Sequence, residues 1–151
     1  MKGLLGTDRS TGTIAGDRDW TSIAMSSDGD ELAAVVFGGY LYTSSNRGAH
    51  WTNRSTGTIS GNKNWQGIAM SSDGERLTAV VYGGNIYTSS NSGAAWTNRS
   101  TGTTANNPIS GNRNWHSIAM SDNGRYLAAV VHNGHLYTSD NYGVNWKDRS
   151  E

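Results

Sequence analysis

Histidines, basic residues and tyrosines are the side chains in this sequence that could do chemistry. His132 and His135 flank an Asn-Gly pair and could approach each other across a turn, which is one way for a metal site to begin. No third ligand accompanies them, so the sequence predicts surface histidines, with no metal and no cofactor. The 151 residues include no cysteine, which excludes disulfides, thiolate metal sites and cysteine nucleophiles.

The elements that must position these side chains come from an internal repeat. Three similar stretches open at Trp20, Trp65 and Trp115, and a second tryptophan follows each at the same offset. An insertion at 104–108 holds the single proline. The sequence therefore predicts a leader and connector strand at 1–19 and three units, at 20–64, at 65–114 (with that insertion) and at 115–151.

Each unit predicts four antiparallel strands and no helix. In the first unit the strands are expected at 20–26, 32–36, 40–44 and 51–55, where apolar residues alternate with small or polar ones. Asp28-Gly29 and Asn46-Arg47-Gly48 mark turns, and Gly38-Gly39 predicts a two-residue hairpin turn. A four-stranded meander of this length is the size of one β-propeller blade.

A short motif recurs between the third and fourth predicted strands of every unit. It comprises Ser44, Asn46, Gly48 and Trp51, then Ser89, Asn91, Gly93 and Trp96, then Ser139, Asn141, Gly143 and Trp146. The motif resembles the Asp-box, or BNR, repeat of sialidase and sortilin-like β-propellers, whose pattern is Ser-x-Asp-x-Gly-x-x-Trp. All three copies have Asn in place of Asp, and Asn can still bond back to the turn backbone. The resemblance implies a structural box and not an active site.

The predicted fold class is all-β, with three four-stranded antiparallel propeller blades per chain and a ring closed by homo-oligomerisation. Propeller rings hold 4–8 blades, so three blades leave two apolar ends exposed. Those ends are complementary, and the sequence predicts a homodimer with six blades, with a nine-bladed homotrimer as the alternative. The chain would then be an excised or engineered piece of a repetitive propeller, or a primitive three-blade unit. A monomeric β-trefoil, also built from three repeats, remains a competing fold.

Two segments compete for the outer strand of the third blade. Residues 6–14 and residues 146–150 both parallel the fourth strand of the second unit. The C-terminal segment keeps the tryptophan and is expected to supply the strand. Residues 1–9 are then expected to form a loosely held leader.

In a propeller the connectors and the second hairpin turns emerge on one face, which commonly carries ligands. Aromatic, amide and cationic side chains on that face form a possible ligand rim for sugars or anionic groups, or else a solvated surface of turn residues. The rim candidates are Arg18, Phe37, Tyr40, Lys63, Tyr82, Asn85, Arg113, His132 and His135.

The sequence predicts a self-assembling propeller scaffold without catalytic activity, whose partner is a copy of itself. A lectin-like module that binds glycans or proteins through the connector face is the first alternative. A sialidase-like glycosidase is the second, and it is disfavoured because the arginines and tyrosines are repeat features and form no unique constellation.

Charge and hydropathy argue against nucleic acid and a membrane as partners. Lys and Arg number 12 and Asp and Glu number 12, which argues against nucleic acid as a partner. No apolar run is long enough for a membrane span, and residues 1–6 are too short for a signal peptide. The compartment stays undefined, although proteins of the resembled family are often secreted or periplasmic.

Overall fold

The computed structural model describes residues 17–101 and 108–150, and in that part of the chain it contains twelve β-strands in three successive antiparallel units. The all-β prediction is confirmed, and the units stack as blades and not as a trefoil. The predicted leader at 1–9, the competing outer strand at 6–14 and residues 104–107 of the insertion lie outside the described residues. No helix among the described residues has the length and apolarity needed to span a membrane.

The blades are numbered in chain order and run from an inner to an outer strand. Blade 1 comprises β1 (Trp20–Met25), β2 (Leu32–Val36), β3 (Leu41–Ser44) and β4 (Thr52–Asn53). Blade 2 comprises β5 (Trp65–Met70), β6 (Leu77–Gly84), β7 (Ile86–Ser89) and β8 (Thr97–Asn98). Blade 3 comprises β9 (Arg113–Met120), β10 (Leu127–Val131), β11 (Leu136–Ser139) and β12 (Lys147–Asp148). The register repeats, so that Leu32, Leu77 and Leu127 pair with Ser44, Ser89 and Ser139.

The hairpin turn between β2 and β3 differs from the two-residue turn predicted at Gly38-Gly39. The backbone N–H of Val36 donates to Tyr40 O, and that of Gly39 donates to Val36 O, so the loop has three residues. Only Gly38 takes a positive φ, of 64°. Gly39 is required for a different reason, because a Cβ there would lie 2.7 Å from a methyl carbon of Val36.

Most apolar burial occurs between blades, and blade 1 has in addition a small cluster of its own around Val36 and Tyr42. One core joins Val35 and Leu41 of blade 1 to Trp65 and Ile68 of blade 2. The second core repeats this arrangement between blades 2 and 3 and includes Trp115. Each connector adds one fully buried isoleucine, Ile59 in the first and Ile109 in the second. Every blade therefore depends on its neighbour for most of its apolar burial.

Hydrogen bonds also cross from blade to blade at equivalent positions. The backbone N–H of Ser27 donates to Ser72 O, and that of Ser72 donates to Asp122 O, both at 2.8 Å. Near the connectors, β6 continues beyond its own blade and pairs with the start of β9 through Tyr82–Asn114 and Gly84–Arg113. These bonds fix the rotation of each blade against the next.

The C-terminal segment supplies the outer strand of blade 3. Lys147 and Asp148 pair with Thr138 and Tyr137, and the preceding Trp146 is buried. The indole N–H of Trp146 donates to Gly143 O at 3.0 Å.

The inter-blade cores predict a large effect of tryptophan removal. Trp115→Ala would empty a fully buried site between blades 2 and 3 and should lower the free energy of unfolding by about 3–5 kcal/mol. Urea denaturation followed by circular dichroism measures this loss. Ser117→Ala, in the same strand but exposed, is the control and should change stability by less than about 0.5 kcal/mol. Equal effects of the two substitutions would contradict the assigned core.

Candidate functional site

The three predicted rim cations stack on tyrosines of the blade into which each of them leads. Their charged groups lie 5.4–5.9 Å from the ring centroids, in the pairs Arg18–Tyr42, Lys63–Tyr87 and Arg113–Tyr137. The tyrosines are buried and contact the first tryptophan of each blade at centroid distances of 5.4–5.7 Å. The cations are half-buried. Each therefore packs inside its blade through a cation–π contact, in addition to any contact with a ligand.

An aromatic pocket lies where the hairpin turns of all three blades approach one another. Phe37, Tyr82 and His132 of the predicted rim line this pocket together with Gln66 and His116, and its volume is about 280 Å³. We call it the mouth pocket.

The mouth pocket draws a residue from every blade. Phe37 and Tyr82 are exposed, and the His132 ring lies 5.8 Å from that of His116. Gln66 and His116 are not among the residues that the sequence predicts for the rim. Each directly follows the buried tryptophan that begins its unit, so the strand alternation was the signal that would have found them.

The second half of each hairpin turn has a different environment. Tyr40 packs edge-on against Tyr42, Asn85 is half-buried beside Val81, and the His135 ring stacks on Tyr137. These three predicted rim residues do not line the mouth pocket.

His132 and His135 thus contact different partners, although the sequence raised the prospect that they would meet. His135 Nδ1 lies 2.5 Å from Asp148 Oδ2, and this hydrogen bond is the main reason that the pKa of Asp148 is lowered. Among the described residues, no three His, Asp or Glu side chains gather where they could hold a metal ion.

The Asp-box motifs form equivalent turns at the opposite ends of the strands, closed by the same serine and asparagine bonds. In blade 2 the Ser89 hydroxyl donates to Asn91 Oδ1 and accepts from Gly93 N, each at 3.0 Å. Asn91 Oδ1 also accepts from the backbone of Ala95 at 2.8 Å, and the Trp96 indole donates to Gly93 O. The same serine and asparagine bonds recur at Ser44, Asn46 and Gly48 and at Ser139, Asn141 and Gly143. Asparagine therefore closes the turn in all three boxes.

A second polar turn lies on the same face between the first two strands of each blade. The Ser26 hydroxyl donates to Asp28 at 2.6 Å, and the backbone N–H of Asp30 donates to the same oxygen at 3.0 Å. The serine bond is the main cause of the lowered pKa of Asp28, and the equivalent bond from Ser71 lowers the pKa of Asp73. Blade 3 has Asn123 at this position, and it accepts the same two bonds.

The outer-strand arginines have structural partners. The Nε of each donates to a threonine hydroxyl at 2.7–2.9 Å, in the pairs Arg54–Thr43, Arg99–Thr88 and Arg149–Thr138. A repeated arginine–threonine bond ties the outer strand to the third strand in every blade.

The two end faces of the array form the other candidate interaction surface. The front face belongs to blade 1 and exposes Trp20 (37% exposed), Ile23 (63%) and Met25. The back face belongs to blade 3 and exposes Tyr126 (54%) and Leu136 (41%). Their repeat equivalents at the internal blade junctions are buried or half-buried; for example, Ile68, Ile118, Leu41 and Ile86 are at most 8% exposed.

Comparison with known proteins agrees with this geometry. Residues 136–148 match the BNR-Asp box repeat model. Similar solved structures include a YCF48 protein bound to D1 peptide (TM-score 0.68, 11% identity, covering 87% of this chain and 40% of that chain) and the Niastella koreensis GH74 enzyme (0.62, 20%, covering 85% and 17%). A nidogen/laminin complex is also similar (0.63, 15%, covering 87% and 48%). Comparison with curated protein sequences gives no match.

These comparisons establish the fold and leave the activity open. The chain carries an Asp-box repeat, and its fold is that of β-propeller blades. It spans less than half the length of each of these three similar chains. They comprise one enzyme and two proteins described only by their complexes.

The Asp–Gly turns predict acid sensitivity of the fold. A carboxylate whose pKa is lowered in the folded state stabilises the fold above its unfolded pKa, about 3.9, and this contribution is lost as the pH falls through the folded pKa. The double variant Asp28→Asn, Asp73→Asn should therefore lose less stability than the wild type between pH 5 and pH 2, roughly the range in which such carboxylates titrate.

Denaturant unfolding at several pH values measures this difference. Asn123 shows that an amide makes both turn bonds, so the double variant should match the wild-type fold near neutral pH. Equal loss of stability by the two proteins in acid would show that these carboxylates do not contribute.

Proposed function

We propose that this array of Asp-box propeller blades is a non-catalytic scaffold that self-associates head to tail, with the front face of one copy covering the back face of the next. One observation carries the proposal. Trp20 is 37% exposed on the front face, whereas its repeat equivalents Trp65 and Trp115 are fully buried because a preceding blade covers them. Among the described residues, the front face is therefore an inter-blade surface that no other blade covers.

The back face likewise exposes a side chain that is buried at the internal blade junctions. Leu136 is 41% exposed, whereas Leu41 and Ile86 at the equivalent position are fully buried by the following blade. Burying one large apolar side chain contributes about 1.5–3 kcal/mol, and each closed junction would bury several. Because front and back are different surfaces, the contact is heterologous and closes into a ring when the rotation fits.

The favoured assembly is a homodimer with six blades, within the usual range of 4–8 blades per ring. A homotrimer with nine blades is the alternative stoichiometry. The formal net charge of zero supports association, because copies do not repel one another through a net charge.

The repeated chemistry supports a scaffold without catalytic activity. The outer-strand arginines bond threonines, and each strand tyrosine contacts both a tryptophan and a cation. Most glycosidases need two carboxyl groups beside the scissile bond, and the five residues that line the mouth pocket include none.

The mouth pocket supports a second candidate function, a lectin-like or protein-binding module. Exposed aromatic side chains offer flat apolar surfaces to sugar rings or peptide side chains, and Gln66 adds an amide that can orient them. Under this proposal the scaffold presents the pocket on its connector face.

Self-association predicts a specific molar mass in solution. Light scattering should give twice 16.2 kDa, or three times that mass for the trimer, over a range of protein concentrations. A mass of 16.2 kDa at every concentration would overturn the proposal.

A charge on the front face should prevent this association. Ile23→Lys places an ammonium group on a surface that must become buried, while the side chain is 63% exposed in the single chain, so the fold should survive. The variant should have the monomer mass with an unchanged circular dichroism spectrum. Phe37→Lys is the matched control, because Phe37 is an exposed apolar side chain outside both end faces, and it should associate normally.

The mouth pocket predicts ligand retention that depends on its aromatic side chains. An array of neutral oligosaccharides and unmodified peptides should retain the protein, and Phe37→Ser or Tyr82→Ser should weaken the binding on the order of tenfold. Val144→Ser removes an exposed apolar side chain outside the pocket and both end faces, and this variant should bind as the wild type does. Absence of any retained probe would leave only the scaffold role.

A further inference from the structure

The junction between blades 2 and 3 contains a cation–π pair. The guanidinium carbon of Arg76 lies 4.2 Å from the ring centroid of Tyr142. Arg76 directly precedes β6 of blade 2, and Tyr142 lies in the Asp-box turn of blade 3. Gly124 of blade 3 lies against Arg76 as well, since a Cβ at Gly124 would be 2.5 Å from Arg76 Cδ. The pair is thus part of the packed surface between two blades.

The two positions of this pair carry different residues in the other blades. The position of Arg76 is occupied by Glu31 in blade 1 and by Tyr126 in blade 3. The position of Tyr142 is occupied by Arg47 in blade 1 and by Ser92 in blade 2. At these two positions the back face therefore presents a tyrosine and the front face presents an arginine. In the internal pair the earlier blade supplies the arginine and the later blade the tyrosine, so the two residue types are exchanged.

Both end residues are accessible in the single chain. Tyr126 is 54% exposed, and the side chain of Arg47 is 75% exposed. Asp30 holds Arg47 in place through a hydrogen bond of 2.6 Å from the guanidinium Nε and a backbone bond at 3.1 Å. Arg47 also has the left-handed φ, 58°, that Tyr142 adopts at 61°. The Arg47 side chain therefore leaves the box turn from the same backbone conformation as Tyr142.

A groove beside this pair shows how a following blade closes the junction. In blade 2 the groove between β6, β7 and β8 has a volume of about 120 Å³ and is covered by Met120, Gly124 and Tyr142 of blade 3. In blade 3 the equivalent groove is about 530 Å³. Apart from Asn91, every blade 2 residue that lines the first groove has its repeat equivalent in the second.

The repeat also identifies the side chains that would cover the open groove. The equivalents of Met120, Gly124 and Tyr142 in blade 1 are Met25, Gly29 and Arg47. Met25 is exposed on the front face, whereas Met120 is half-buried. The groove and its cover are therefore both present in one chain, at opposite ends.

We propose that Arg47 of one copy stacks on Tyr126 of the next copy, while Met25 enters the blade 3 groove and Gly29 lies against the tyrosine. This inference rests on the proposed self-association and specifies its register. The pair joins a front face to a back face, because its two members lie on opposite ends of the chain. It therefore sets the direction of association as well as adding attraction.

An exchange of the two residues tests the pairing. Tyr126→Arg brings two arginines together, and Arg47→Tyr removes the cation, so each single variant should raise the dissociation constant on the order of tenfold. The double variant Arg47→Tyr, Tyr126→Arg recreates the internal Arg76–Tyr142 arrangement and should restore the wild-type constant. Sedimentation velocity over a concentration series measures all four proteins.

A matched control and the possible outcomes separate this inference from the wider proposal. Val144→Arg places an arginine on an exposed apolar residue outside the end faces and the mouth pocket, and this variant should associate as the wild type does. If the wild type associates but the single variants match it, or if the double variant stays as weak as the singles, the pairing is wrong and self-association stands. If the wild type is monomeric, self-association fails and the pairing fails with it.

Discussion

The constraint on which the whole structure depends is that a propeller blade cannot bury its own faces. A four-stranded antiparallel sheet has two sides, and here both sides of an internal blade carry apolar residues. Blade 2 buries Trp65 and Ile68 against blade 1, and it buries Val80 and Ile86 against blade 3. Each blade is therefore stabilised by its neighbours, and the two outermost surfaces of the described residues have the same apolar pattern but stay partly exposed.

Most of the side chains that could do chemistry stabilise this stacking. Arg113 lies over Tyr137, which packs edge-on against Trp115, and the set recurs once in each blade. The serine and asparagine of each Asp box close the turn that precedes the tryptophan. A scaffold of stacked blades requires such repeated contacts, because the same interactions then stabilise every blade. The mouth pocket is different, since it takes side chains from three blades and its members are not repeats of one residue type.

Much of this architecture could be predicted because it depends on local pattern. The spacing of the tryptophans, the alternation along the strands and the glycines in the turns are properties of short segments. The three-residue loop at Phe37–Gly39 escaped prediction because its register depends on the contact between Gly39 and Val36. The contact between His132 and His116 escaped for a related reason, since two different strands bring these rings together.

By itself, the sequence determined the repeat, the all-β class, the strand order within a blade and the Asp-box turns. It could not distinguish Trp20 from Trp65 or Trp115, because the three occupy the same position in the repeat and have similar neighbours in the chain. Only the tertiary structure decided that the first is partly exposed and the other two are fully buried. The physical reason is that burial at this position is supplied by the preceding blade, and within residues 17–101 and 108–150 a preceding blade covers Trp65 and Trp115 but not Trp20.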